Sequence, residues 1–124
     1  MPRDPHRQSI DDRIRVQHML DAARQIVDFA RGRARADLDT DAMLARAIMH
    51  AIQEIGEAAS RIGDSTRSRF SGVPWKQIVG MRHRTVHVYW GVNLDLVWEV
   101  VGRDIPPLIR ALEEGTTDWP LPTP

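Results

Sequence analysis

The chain of 124 residues contains no cysteine. That excludes a disulfide scaffold, a thiol nucleophile and a cysteine-held zinc site. It carries no net charge, with 17 Lys and Arg against 17 Asp and Glu, which argues against a protein that coats polyanions indiscriminately. No apolar run approaches the ~18 residues of a membrane span. Met1 to Asp12 is polar throughout and shows no signal-peptide pattern, so a cytoplasmic location away from membranes is expected. Gly-rich phosphate loops, internal repeats, low-complexity tracts and alternating strand patterns are missing as well. What remains, 42% hydrophobic and 27% charged residues, is the composition of one soluble globular domain. A domain of this size buries only about two thirds of its unfolded surface, which makes a homodimer physically attractive.

The charge is unevenly distributed. Between Arg61 and His87 stand Arg61, Arg67, Arg69, Lys76, Arg82 and Arg84 against Asp64 alone. Between Asn93 and Asp118 stand Asp95, Glu99, Asp104, Glu113, Glu114 and Asp118 against Arg103 and Arg110. A local basic region can therefore meet a phosphate while the whole protein stays neutral. A solvated arginine face would give the same composition. Arginine binds phosphate through a planar fork, where lysine acts as a point charge.

Apolar spacing predicts helices. Ser9 and Asp12 resemble a capping pair, followed by Val16, Met19, Leu20, Ala23, Ile26, Val27 and Ala30 on one face. Arg31, Arg33 and Arg35 give way to Asp37, Asp39 and Asp41, a switch that marks a turn between the negative pole of one helix and the positive pole of the next. The second helix is expected from Thr40 to Arg61, with Met43, Ala47, Ile48, Ala51, Ile52, Ile55, Ala59 and Ile62 buried and Gly63 as a left-handed cap. Asp64 to Val73 reads as a loop. Pro74 suits the first turn of a third helix carrying Trp75, Ile78, Val79 and Val86. Gly91 breaks that pattern and Asn93 caps a last helix, whose stripe runs through Leu94, Val97, Trp98, Val101, Ile105, Leu108, Ile109 and Leu112. Pro106 and Pro107 delete two backbone donors, so a kink is expected near Gly102 to Asp104. The predicted fold is all-α, an antiparallel bundle of four to five helices. Its expected organisation is a flexible tail over residues 1–9, a helical domain over 10–114 and an extended tail over 115–124, in which Trp119 and Leu121 are candidates to dock.

The densest reactive cluster is Gly80 to Tyr89, which packs Arg82, His83, Arg84, His87 and Tyr89 together. An exposed helix end would explain it. A second explanation starts from RNA cleavage, in which a ribose 2′-hydroxyl attacks its neighbouring phosphate without a metal. A histidine can take the proton and an arginine fork can hold the phosphorane charge. Arg82 and His87 are about 140° apart on an ideal helix, so the pair converges only if the helix ends or bends before His87, or if two chains share one groove. His83 and His87 could instead clamp a metal at helical spacing, but no third ligand is marked nearby. His50, Glu54 and Glu57 line one side of the second helix, as a solvated polar face or as polar groups facing Arg82.

The stretch Arg82-His-Arg-Thr-Val-His87-Val-Tyr89 matches the Arg-x4-His-x-Tyr motif of the HepT toxins, within the wider HEPN class. The similarity extends to Ala51–Ala59, Trp75–Arg82 and Val92–Trp98 and covers roughly residues 10 to 112. The resemblance implies an all-helical homodimer whose two motifs line a shared cleft. It implies a metal-independent endoribonuclease, needing no cofactor and acting on RNA as the toxin of a toxin–antitoxin pair. It implies a cognate minimal nucleotidyltransferase as antitoxin, able to adenylylate Tyr89. On this basis Arg82 holds the scissile phosphate and His87 acts as base or acid. Arg84 supports phosphate binding, as does His83, which stands where many relatives carry asparagine. The alternative is a non-catalytic helical module that binds a nucleotide or a partner protein.

Overall fold

A computed structural model describes residues 4–87 and 91–121. The first helix, α1 (Pro5–Ala30), starts earlier than the Ser9 signal predicts. Pro5 occupies the first helical position and the Asp4 carboxylate accepts the His6 N–H at 3.0 Å, a stronger start than a serine one turn later. Asp12 is then released from capping and is 1% exposed. Its carboxylate accepts from Gln8 Nε2 (2.7 Å), Arg15 (3.1 Å), the Gly63 N–H (3.1 Å) and the Thr66 hydroxyl (2.8 Å). A buried carboxylate is tolerated when its lone pairs are filled in this way. Here the filling ties α1 to the far end of α3 (Ala42–Ser60) and the start of α4 (Asp64–Arg69).

The predicted turn begins at Gly32, whose φ of 73° lies in the left-handed region. A short helix, α2 (Asp37–Thr40), sits inside it and buries Leu38. The charge switch closes through ion pairs. Arg33 meets Asp41, and Arg35 meets Asp39 (3.1 Å) and Asp95 (2.7 Å). Asp41 caps α3 by accepting the Leu44 N–H at 3.0 Å. That bond, then Arg33, holds the Asp41 carboxyl below its ordinary range, while Asp95 and Asp39 raise the Arg35 guanidinium.

α1 and α3 pack against each other through Val16, Met19, Leu20, Ala23 and Ile26 on one side and Ile48, Ala51, Ile52 and Ile55 on the other. Met43, expected in that stripe, is 83% exposed because it lies in the first turn of α3, where Leu44 and Ala45 face the core instead. Gly63 is not a left-handed cap. It precedes α4 with φ −75°, and its N–H is taken by Asp12. The segment read as a loop thus contains α4, which lacks an apolar stripe and is tied down by Thr66 donating to Asp12 and Arg67 donating to the Ala59 and Ile62 carbonyls.

The third predicted helix is two short ones, α5 (Trp75–Val79) and α6 (Met81–Thr85), broken at Gly80. After Thr85 the chain leaves the helix. Val86–His87 (β1) pairs antiparallel with Gly91–Val92 (β2), in register Val86 to Val92 and His87 to Gly91. Two-residue strands are too short to carry an alternation signal. Asn93 caps α7 (Leu94–Glu99) by accepting the Leu96 N–H at 3.1 Å, as expected. The predicted kink is a π-helical turn, Val100–Asp104, leading into α8 (Ile105–Gly115) with Pro106 and Pro107 in its first turn.

α8 packs on α1, and the chain then folds back instead of extending away. Trp119 is buried against Phe70, edge to face with centroids 5.3 Å apart. Arg13 lies 4.5 Å and Arg69 5.6 Å from the Trp119 ring centroid, and Arg13 donates to the Pro120 carbonyl at 2.7 Å. The architecture is an all-α bundle with one minimal β ladder among the described residues. No helix of the described residues is long and apolar enough to cross a membrane.

Candidate active site

α6 is one turn of helix with two faces. Met81 and Thr85, four apart, are buried, and the Thr85 hydroxyl donates to the Arg82 carbonyl at 3.0 Å. Burying that pair forces Arg82, His83 and Arg84 outward, and all three are exposed. The helix ends at Thr85, so the 140° separation of Arg82 and His87 on a continuous helix does not apply. The His87 backbone lies in β1, fixed by its pairing with Gly91 and by the Asn93 N–H donating to the Thr85 carbonyl at 2.8 Å. The same helix end removes the one-face spacing on which a His83–His87 metal clamp would depend. Among the described residues no group of three His, Asp or Glu is placed to hold a metal ion. Tyr89 lies outside the described residues.

Arg82 borders two hollows against α3. One, of about 220 Å³, is lined with Arg46, Met49, His50, Ile52, Gln53 and Thr85. The other, of about 160 Å³, has Gln53, Gly56, Glu57, Ser60, Val79 and His83. His50, Gln53 and Glu57 on the polar side of α3 line these hollows and are also exposed. Glu54 instead meets His50 at 3.1 Å and joins Glu57, His18 and Arg61 around a hollow of about 400 Å³ between α1 and α3. Gln53 donates to Glu57 at 3.2 Å.

The three exposed residues of α6 differ in one respect. Arg84 is paired with Asp104, whose side chain is 10% exposed at the end of the π-helical turn. Arg82 and His83 make no ion pair among the described residues. Arg82 is thus an exposed fork without an ion pair among the described residues, beside two hollows, and Arg84 is a paired one. Two participants escape the sequence reading: Arg46, one helix away from the motif, and Asp104, twenty residues beyond Arg84. The only sequence signal for Asp104 is its place directly before the Ile-Pro-Pro step that sets the π turn.

The geometry places an exposed guanidinium, without an ion pair among the described residues, on a helix that ends just before a histidine; the class of the protein comes from its relatives. The chain belongs to the HepT-like ribonuclease family, whose description matches residues 19–114. A relative from Caldanaerobacter subterraneus subsp. tengcongensis, named provisionally as an RNase, is 33% identical over 80% of this chain and 88% of its own length. One from Methanocaldococcus jannaschii, also named provisionally as an RNase, is 30% identical over 77% of this chain and 87% of its own length. A third, from Thermococcus cleftensis and named provisionally as ribonuclease HepT, is 29% identical over 80% of this chain and 90% of its own length. No solved structure matches the chain. The family makes the protein an endoribonuclease by class.

Proposed function

We propose that the protein is a metal-independent endoribonuclease that serves as the toxin of a toxin–antitoxin pair. The observation that carries this reading is Arg82, exposed and without an ion pair among the described residues, on a helix that ends just before His87. In the proposed reaction the ribose 2′-oxygen attacks the adjacent phosphorus. A P–O2′ bond forms and the P–O5′ bond breaks, leaving a 2′,3′-cyclic phosphate and a 5′-hydroxyl. His87 takes the 2′ proton, and the leaving oxygen gains one from a protonated imidazole or water. Arg82 holds the charge that builds on the phosphoryl oxygens, with His83 as a supporting contact. Arg84, shared with Asp104, supports the site by position more than by free charge.

The proposed assembly is a homodimer with two motifs along one cleft, and α1 leaves Ile10, Ile14 and Phe29 exposed as apolar surface for such a contact. The proposed antitoxin is a minimal nucleotidyltransferase. It would transfer AMP from ATP to the Tyr89 oxygen with release of pyrophosphate, adding bulk and negative charge that repel an RNA backbone.

The test is incubation of purified protein with RNA in EDTA. Fragments ending in 2′,3′-cyclic phosphate support the reading, provided that Arg82→Ala and His87→Ala abolish them while each variant keeps its melting temperature and oligomeric state. Full cleavage by either variant removes the catalytic assignment. Binding of RNA without any cutting leaves the non-catalytic module. Mass spectrometry of Tyr89 after co-expression with the nucleotidyltransferase tests the modification.

A further inference from the structure

A hollow of about 560 Å³ is lined by Pro74, Trp75, Lys76, Gln77, Gly80 and Arg84, with no residue of α3 among them. Its lining is less polar than those of the hollows that border Arg82. We propose that this hollow is a stacking subsite for one unpaired nucleobase of the RNA strand whose phosphate sits at Arg82. The proposal rests on the ribonuclease reading and adds to it a place where the strand is gripped beside the cut.

Four features favour a base over any other occupant. Trp75 is a fixed π platform: its indole N–H donates to the carbonyls of Arg67 (3.2 Å) and Phe70 (3.1 Å), and the Arg67 guanidinium lies 5.5 Å from its ring centroid. Arg84 supplies a second flat group, immobilised and charge-compensated by Asp104. A guanidinium whose charge is already matched gains little from a phosphate but still stacks on a base. Gly80 keeps the hollow's wall low at the α5–α6 break, where a Cβ would come within 3.3 Å of the Lys76 carbonyl. Lys76, the chain's single lysine, stands exposed at the rim with no ion pair among the described residues, which places an ammonium where the strand's backbone passes. Arg82 and Arg84 are two apart on α6 and so point to opposite sides of it. A strand cut at Arg82 therefore crosses the helix and delivers a neighbouring base, not the reacting nucleotide, to the hollow.

The experiment is a scan of an RNA oligonucleotide in which single ribose positions flanking the cleaved bond are made abasic in turn. With the wild-type protein one abasic position is expected to raise KM about tenfold while kcat is nearly held, in line with the loss of one base–aromatic stack. Trp75→Leu should raise KM for the intact oligonucleotide by a similar factor and make that abasic position silent, whereas Trp75→Phe should retain most of the affinity. Lys76→Ala should raise KM less and reduce its dependence on salt. If wild-type cleavage requires Arg82 and His87 but every abasic position behaves alike, the subsite is wrong and the nuclease reading stands. If the wild-type protein cuts no RNA, both fall. If Trp75→Leu folds, cleaves with unchanged KM and loses binding of the nucleotidyltransferase instead, the hollow belongs to a protein partner and the proposal is overturned. Should Trp75→Leu fail to fold, the abasic scan on the wild-type protein decides alone.

Discussion

Two regions of the bundle treat charge in opposite ways. Where α1 meets α4, a buried carboxylate is surrounded by donors from four residues, and an indole is held between an aromatic edge and two guanidinium groups. Around α6, an arginine and a histidine stand exposed with no ion pair among the described residues, and an Arg84 paired with Asp104 is their neighbour. The first arrangement stabilises the fold because it leaves no polar atom of Asp12 without a partner. The second contributes nothing comparable to stability, and under the proposed function an incoming phosphate supplies the partner charge. Substitutions should therefore separate into those that lower melting temperature and those that lower turnover.

The sharpest way to break this division is at the motif. Arg82→Ala and His87→Ala should each lower the cleavage rate by at least ~100-fold, as loss of a charge-stabilising or proton-transferring group does, with melting unchanged within a degree or two. A large drop in melting temperature for either would place the motif in the fold rather than in the chemistry. In the other region Asp12→Ala should cost about 3 kcal/mol in denaturant unfolding, because Thr66, Gly63 and Arg15 lose their shared acceptor. Its kcat, measured where the variant is fully folded, should stay near wild type.

Gly115→Ala sharpens the same region. A Cβ there would overlap the Phe70 ring at Cδ1 and Cε1, and Phe70 is buried against Trp119 with no room to withdraw. We expect a loss of about 1–3 kcal/mol by overpacking, read as a lower denaturation midpoint at unchanged slope. The smallest effect concerns acid. Asp41 is held below its ordinary carboxyl range by the Leu44 N–H and Arg33. Its contribution is fully present above the unfolded carboxyl pKa and is lost as pH falls through the lower folded value. Asp41→Asn should be slightly less stable than wild type at neutral pH and indistinguishable from it at strongly acid pH; equal differences at both would remove the assignment.

How much of this was legible in the sequence follows from what repeats and what does not. The long helices announced themselves because Val16 to Ile26, Ile48 to Ala59 and Val97 to Leu112 recur at helical spacing, and Pro106 with Pro107 placed the kink because missing donors need no tertiary context. α2 and α4 carry too few apolar residues for periodicity, and the ladder at Val86 to Val92 is too short for alternation. Ser9 misplaced the first helix start because a cap one turn earlier competes with it locally. Of the candidate site, Arg82, His83 and Arg84 were visible as a contiguous cluster, as was the need for a helix end before His87. The commitment of Arg84 to Asp104, the hollows against α3 and the exposure of Met43 depend on how distant elements meet, and no local pattern encodes them.

The bond from the Asn93 N–H to the Thr85 carbonyl closes the excursion of residues 86–92 at its base, where α6 stops and α7 begins. Because that bond joins the two helix ends directly, a substitution at His87 is expected to act on chemistry more than on the packing of α6 and α7.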